Sequence, residues 1–159
     1  GMTGLDATIL EGIEQASEFV AVAAQIREAL REKCCGQPLS YQDVESVAEA
    51  LGLSTTLVHA SMATEPDLTL VITSDVRFTI CVGECTLHGS FKNLQALLEH
   101  RKTRVEEGKM PFDIETRGCL DRCLFRPSML IRSPDGYATK LRLKPEELPE
   151  LITSLCDSW

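Results

Sequence analysis

Two cysteine pairs with the same internal spacing constrain this chain more than any other feature: Cys81-Val82-Gly83-Glu84-Cys85 and Cys119-Leu120-Asp121-Arg122-Cys123. Each follows directly on a run with the period-two pattern and β-branched residues of a strand. For the first pair the run is Val76 to Cys81, and for the second it is Phe112, Ile114 and Thr116 in alternation. Adjacent strand ends would bring the pairs together, so the local pattern already asks for two neighbouring strands that finish at one edge of a sheet.

Seven cysteines in a chain with net charge -8 and no basic, apolar leader are not read as a disulfide framework, because a reducing compartment keeps thiols reduced and seven cannot all pair. Metal or redox chemistry is the better reading. Four thiolates converging from two loops make a tetrathiolate site that suits either a [2Fe-2S] cluster or zinc. Gly83, Gly89 and Gly118 allow close approach of backbone N–H groups to sulfur, and Arg117, Arg122 and Arg126 offset negative charge. Cys34, Cys35 and Cys156 stand outside the pairs and read as small hydrophobes. Of the histidines, His59 and His100 read as core or surface residues, and only His88, three positions after Cys85, is near enough in sequence to reach a metal.

The organisation around the pairs changes class once. Leu5, Ile9, Ile13, Ala16, Val20 and Ala23, then Phe19, Val22, Ile26 and Leu30, fall at helical spacing up to the Cys34-Cys35-Gly36-Gln37-Pro38 stop. Ser40 with Asp43 forms a capping-box signature for a second helix carrying Val44, Val47, Ala48 and Leu51. Gly52 closes it, and Ser54 opens a third, short one with Leu57 and Val58. Beyond Pro66, Leu68 to Thr73 and Val76 to Cys81 read as strand, Ser90 to Arg104 as helix with Phe91, Leu94, Leu97 and Leu98 inward, and Phe112 to Thr116 as strand. Met129 to Arg132 and Tyr137 to Leu143 flank Ser133-Pro134-Asp135-Gly136 as a hairpin, and Pro145-Glu146-Glu147 leads a last helix. The run Arg101-Lys102-Thr103-Arg104 reads as charge complementing a helix dipole.

With those residues in place, most of the chain from Ser17 to Leu155 resembles the thioredoxin-like [2Fe-2S] subunit of NADH:quinone oxidoreductases (complex I) and of NAD-linked hydrogenases and formate dehydrogenases. Cys85-Thr86-Leu87-His88-Gly89-Ser90 is similar to the stretch in which that family runs from its second ligand through a glycine into a helix. Cys119 to Cys123, with Gly118 before and Pro127 and Ile131 after, resembles its second pair. Leu39-Ser40 and Val47-Ala48-Glu49-Ala50-Leu51-Gly52-Leu53-Ser54 resemble its helix, stop and restart. The first pair differs, with three residues between the cysteines where the family has four. The resemblance implies that Cys81, Cys85, Cys119 and Cys123 ligate the cluster, and that electrons pass between it and a flavin-bearing, NAD-binding partner subunit.

The expectation is therefore an α/β chain. A helical module over residues 1–67 precedes a thioredoxin-like domain over residues 68–159, and the whole acts as a one-electron relay with no complete active site of its own. The alternative on the same fold is a zinc-binding or metal-free interaction protein. A dithiol oxidoreductase is disfavoured because C-x3-C is not the C-x-x-C of that chemistry. The acidic balance argues against nucleic acid, and no apolar run reaches the ~20 residues of a membrane span. Location is expected to be cytoplasmic, at most peripheral to a membrane complex, and a homo-oligomer is compatible. Gly1 ahead of Met2 is read as a tag scar. No glycine-rich phosphate loop offers the chain its own NAD or flavin site.

Overall fold

The computed structural model of the chain describes residues 22–63, 65–82, 89–118, 128–141 and 143–157. The apolar residues Leu5 to Val20 expected on the first helix lie outside them. The helical residues 22–34, α1, place Ile26 and Leu30 fully in the core and end at Cys35 and Gly36, both with positive φ.

Helix α2, Tyr41–Leu51, begins as its sequence requires. Ser40 Oγ accepts from the Asp43 amide at 3.0 Å, and the Asp43 carboxylate accepts from the Ser40 amide at 2.9 Å. Gly52 ends the helix in the left-handed region at φ 69°, where a side chain would be strained. Ser54 caps the short α3, Thr55–Ala60, through the Leu57 amide.

The run Leu68 to Thr73 departs from expectation and joins no sheet. It makes a single parallel bridge, Leu39 to Leu70, with the Leu39 amide donating to Thr69 and the Val71 amide donating to Leu39. Its partner segment is too short to extend the ladder: the next residues facing it are Gln37, whose amide donates to the Cys34 carbonyl, and Tyr41, which already begins α2.

The sheet has order β2-β1-β3-β4, made of Arg77–Cys81 (β1), Asp113–Arg117 (β2), Ser128–Ser133 (β3) and Gly136–Leu141 (β4). Strands β1 and β2 run parallel, which demands a long crossover, and α4, Ser90–Glu106, supplies it. Strand β3 lies antiparallel to β1, and β4 returns antiparallel to β3 around Pro134-Asp135. A 3-10 turn, Pro145–Glu147, then leads into α5, Leu148–Cys156, with Pro149 tolerated in its first turn. A central first strand, a parallel β-α-β unit, an antiparallel hairpin and a closing helix make the thioredoxin-like arrangement.

One face of the sheet carries Phe78, Ile80, Ile114, Met129 and Ile131, all buried. Phe78 meets Phe112 edge-on at 5.0 Å between ring centroids, a contact that contributes about 1 kcal/mol beyond its buried area. Helix α4 packs on β1 and β2 through Phe91, Leu94 and Leu97, while α3 packs against α2, α4 and β2. Residues of α1 to α3 and of the sheet therefore belong to the same hydrophobic cluster. The basic end of α4 does more than complement a dipole. Arg104 is buried, donating to the Met110 carbonyl and pairing with Asp157 at 2.6 Å, so it ties the two helix ends together. Among the described residues no helix is long and apolar enough to cross a membrane.

Candidate metal centre

The parallel register places Cys81, the last residue of β1, opposite Arg117, the last residue of β2. Gly118 follows Arg117, and Cys119 comes next in sequence. The two cysteine pairs thus leave the same end of two hydrogen-bonded strands. Val82 continues the ladder one step by donating its amide to the Arg117 carbonyl at 2.8 Å.

Of the four expected ligands, Cys81 lies within the described residues, and Cys85, Cys119 and Cys123 lie outside them. Cys81 is 1% exposed, and its Sγ donates to the Gly118 carbonyl at 3.3 Å. A soft thiol donor, shielded from water and directed at Gly118, the residue before Cys119 in sequence, fits a thiolate-held metal group. Among the described residues themselves no set of three metal-ligating side chains comes together.

Other expected contributors divide. Gly89 is the residue before α4 and has φ 94°, so its role is to turn the chain into the helix. Gly118 presents its carbonyl to the Cys81 thiol. Arg117 is held by Glu115 at 2.7 Å, so part of its charge is already balanced. Gly83, His88, Arg122 and Arg126 lie outside the described residues. The three cysteines outside the pairs sit in other surroundings: Cys35 is exposed, Cys34 packs half-buried against the core, and Cys156 is buried, its thiol pushed up by burial.

A second polar constellation, not visible in sequence, sits where the helices meet β2. The Tyr41 hydroxyl accepts from the Ile114 amide at 2.8 Å and donates to Asp113 at 3.2 Å. The Thr73 and Ser74 amides also donate to Asp113, and the Thr73 hydroxyl does so at 2.6 Å. His59 Nε2 lies 3.2 Å from the Ile114 carbonyl and therefore carries the proton it donates there. Burial drives the His59 imidazole down to about 4, with Arg101 acting in the same direction and the Ile114 bond opposing. Arg101 stacks over the Tyr41 ring at 3.4 Å and donates to Phe112. Tyr41 is pushed above its ordinary range, first by burial and then by the Asp113 charge. A helix residue such as Tyr41 carries no local signal that its partner is a strand more than seventy positions away.

No protein-family model matches the chain, and no curated protein matches it. Among solved structures, the chain is similar to the wild-type thioredoxin-like [2Fe-2S] ferredoxin from Aquifex aeolicus. Identity is 24% over 51% of this chain and 84% of that one, with a TM-score of 0.44. A second structure of a thioredoxin-like [2Fe-2S] ferredoxin from that organism matches at 25% identity over 50% of this chain and 77% of that one, with a TM-score of 0.43.

Proposed function

We propose that the chain holds a [2Fe-2S] cluster on Cys81, Cys85, Cys119 and Cys123 and relays single electrons as a subunit of an NAD-linked oxidoreductase. The observation that carries this reading is the pairing of Cys81 with Arg117, which sets side by side the two strand ends that the cysteine pairs follow in sequence. When bound, such a cluster supplies a one-electron couple. On ligation Cys81 gives up its thiol proton, and with it the bond to Gly118. Burial of the Cys81 sulfur limits access of water to that position. The cysteine domain is assigned to residues 68–159. The preceding residues 1–67 are assigned to contact with the flavin- and NAD-binding partner, in keeping with the family resemblance.

Anaerobic purification, or reconstitution with ferrous iron and sulfide, tests the cofactor directly. Iron and inorganic sulfide are expected in equal amounts, about two of each per chain, with a visible absorption that bleaches on reduction. Stoichiometric zinc with no sulfide after reconstitution would decide for the structural alternative. The partner role is read separately: NADH should bleach the holoprotein only when the flavin-bearing subunit is present.

A further inference from the structure

The sheet face turned away from Phe78 and Ile80 carries charges that the fold does not balance. Arg77 on β1 and Arg132 on β3 are direct antiparallel partners, so their side chains leave the same face from Cα atoms about 4.5–5.5 Å apart. Like charges set opposite each other destabilise a sheet. The carboxylates close by are committed elsewhere. Asp113, beside Arg77 in the β2 register, accepts from the Tyr41 and Thr73 hydroxyls and from the Thr73 and Ser74 amides. Glu115 pairs with Arg117 at 2.7 Å and comes only to 3.8 Å from Arg77. Glu65 is taken by Arg31 at 2.6 Å, and the exposed Asp75 forms no ion pair among the described residues. Arg132 is exposed and has neither a hydrogen bond nor an ion pair among the described residues, and Arg77 Nε is buried without an acceptor.

Arg77, Arg117 and Arg132 all line one cavity of about 700 Å³, a size typical of small-molecule sites. The sheet contributes the charged groups. The segment that follows α3 contributes apolar ones, among them Leu70 and the 81% exposed Ile72. A cationic end is thus set beside an apolar flank within one concave site.

We propose that this cavity binds a small organic phosphate ester, its phosphoryl group held between Arg77 and Arg132 and its organic part against Leu70 and Ile72. A phosphate monoester carries close to two negative charges at neutral pH and so matches both guanidinium groups, where a carboxylate balances only one. Guanidinium forks also bind phosphate oxygens in pairs, which a point charge does not. The bound oxyanion removes the repulsion between Arg77 and Arg132, so binding stabilises the fold as well. Because the chain as a whole carries a net charge of -8, affinity comes from these contacts rather than from long-range attraction.

Isothermal titration calorimetry of the full chain with phenyl phosphate, inorganic phosphate and benzoate, at one ionic strength set with sodium chloride, tests the site. Phenyl phosphate should saturate with a dissociation constant below about 1 mM, and inorganic phosphate and benzoate should each bind more weakly. Arg132→Gln, at an exposed position, should weaken phenyl phosphate about tenfold or more, while the free variant melts no lower than wild type because the repulsion is gone. Arg132→Lys keeps the charge without the fork and should fall between the two. Arg77→Gln should weaken binding as Arg132→Gln does; should it fail to fold, the Arg132 variants carry the test. The proposal is overturned by no saturable heat from phenyl phosphate up to about 10 mM, by equal affinity in wild type and Arg132→Gln, or by no preference for phenyl phosphate over the other two probes. No arm of the experiment reads iron or a cysteine, so failure here leaves the cluster reading standing.

Discussion

The Tyr41 hydroxyl joins α2 to β2 by accepting the Ile114 amide at 2.8 Å while donating to Asp113 at 3.2 Å. Replacing it with Phe keeps the ring beneath Arg101 but strips a partner from each of these groups. Loss of a partner to a part-buried amide costs about 1–3 kcal/mol. Urea unfolding of Tyr41→Phe should report a loss in that range, with faster hydrogen exchange at Ile114. A loss indistinguishable from zero would mean water replaces the phenol at no cost.

His59 makes stability depend on pH in a defined direction. Its folded value of about 4 lies below the ordinary 6.5, so the unfolded chain binds the extra proton first. Its contribution is complete above pH 6.5 and is lost as pH falls from there through about 4, on the order of 3 kcal/mol in all. Denaturation of wild type between pH 7.5 and 4.5 should show this decline, and His59→Gln, which has no proton to gain, should show a smaller one. Equal slopes in both would assign the decline to carboxylates elsewhere.

The Ser40 capping box is worth testing because both of its bonds are present. Ser40→Ala should cost about 1 kcal/mol, and Ser40→Gly less. An alanine variant as stable as wild type would show that tertiary packing of Val44, Val47 and Ala48 alone fixes the start of α2.

Ligand assignment is tested cysteine by cysteine. Cys81→Ser, Cys85→Ser, Cys119→Ser and Cys123→Ser should each abolish or strongly shift the visible spectrum of reconstituted protein. Cys34→Ser, Cys35→Ser and Cys156→Ser should leave it unchanged. The three-residue spacing of the first pair makes Cys81→Ser the decisive member, since an unaltered spectrum would mean the ligand set has moved, with His88 the first residue to examine.

What could be read from sequence was whatever is settled within a few residues. The capping box at Ser40, the glycine stop at Gly52, the hairpin at Pro134-Asp135 and the order of elements from Val76 onward all rest on hydrogen bonds or periodicities between near neighbours. The run Leu68 to Thr73 failed for the opposite reason. Its β-branched composition was strand-like, but a strand needs a partner, and Leu39 between Pro38 and the cap Ser40 offers only one residue.

By itself the sequence determined the local elements and the residue types available for chemistry, including two cysteine pairs that follow strand-forming runs. Only the tertiary structure decided that those runs are parallel neighbours in a register that sets Cys81 beside Arg117. It likewise decided that Tyr41 and His59 take up the outward amide and carbonyl of Ile114 on one sheet edge. The physical reason is that strand pairing and buried polar contacts join groups far apart in the chain, and the choice among such pairings is made by burial of the common core rather than by any local preference.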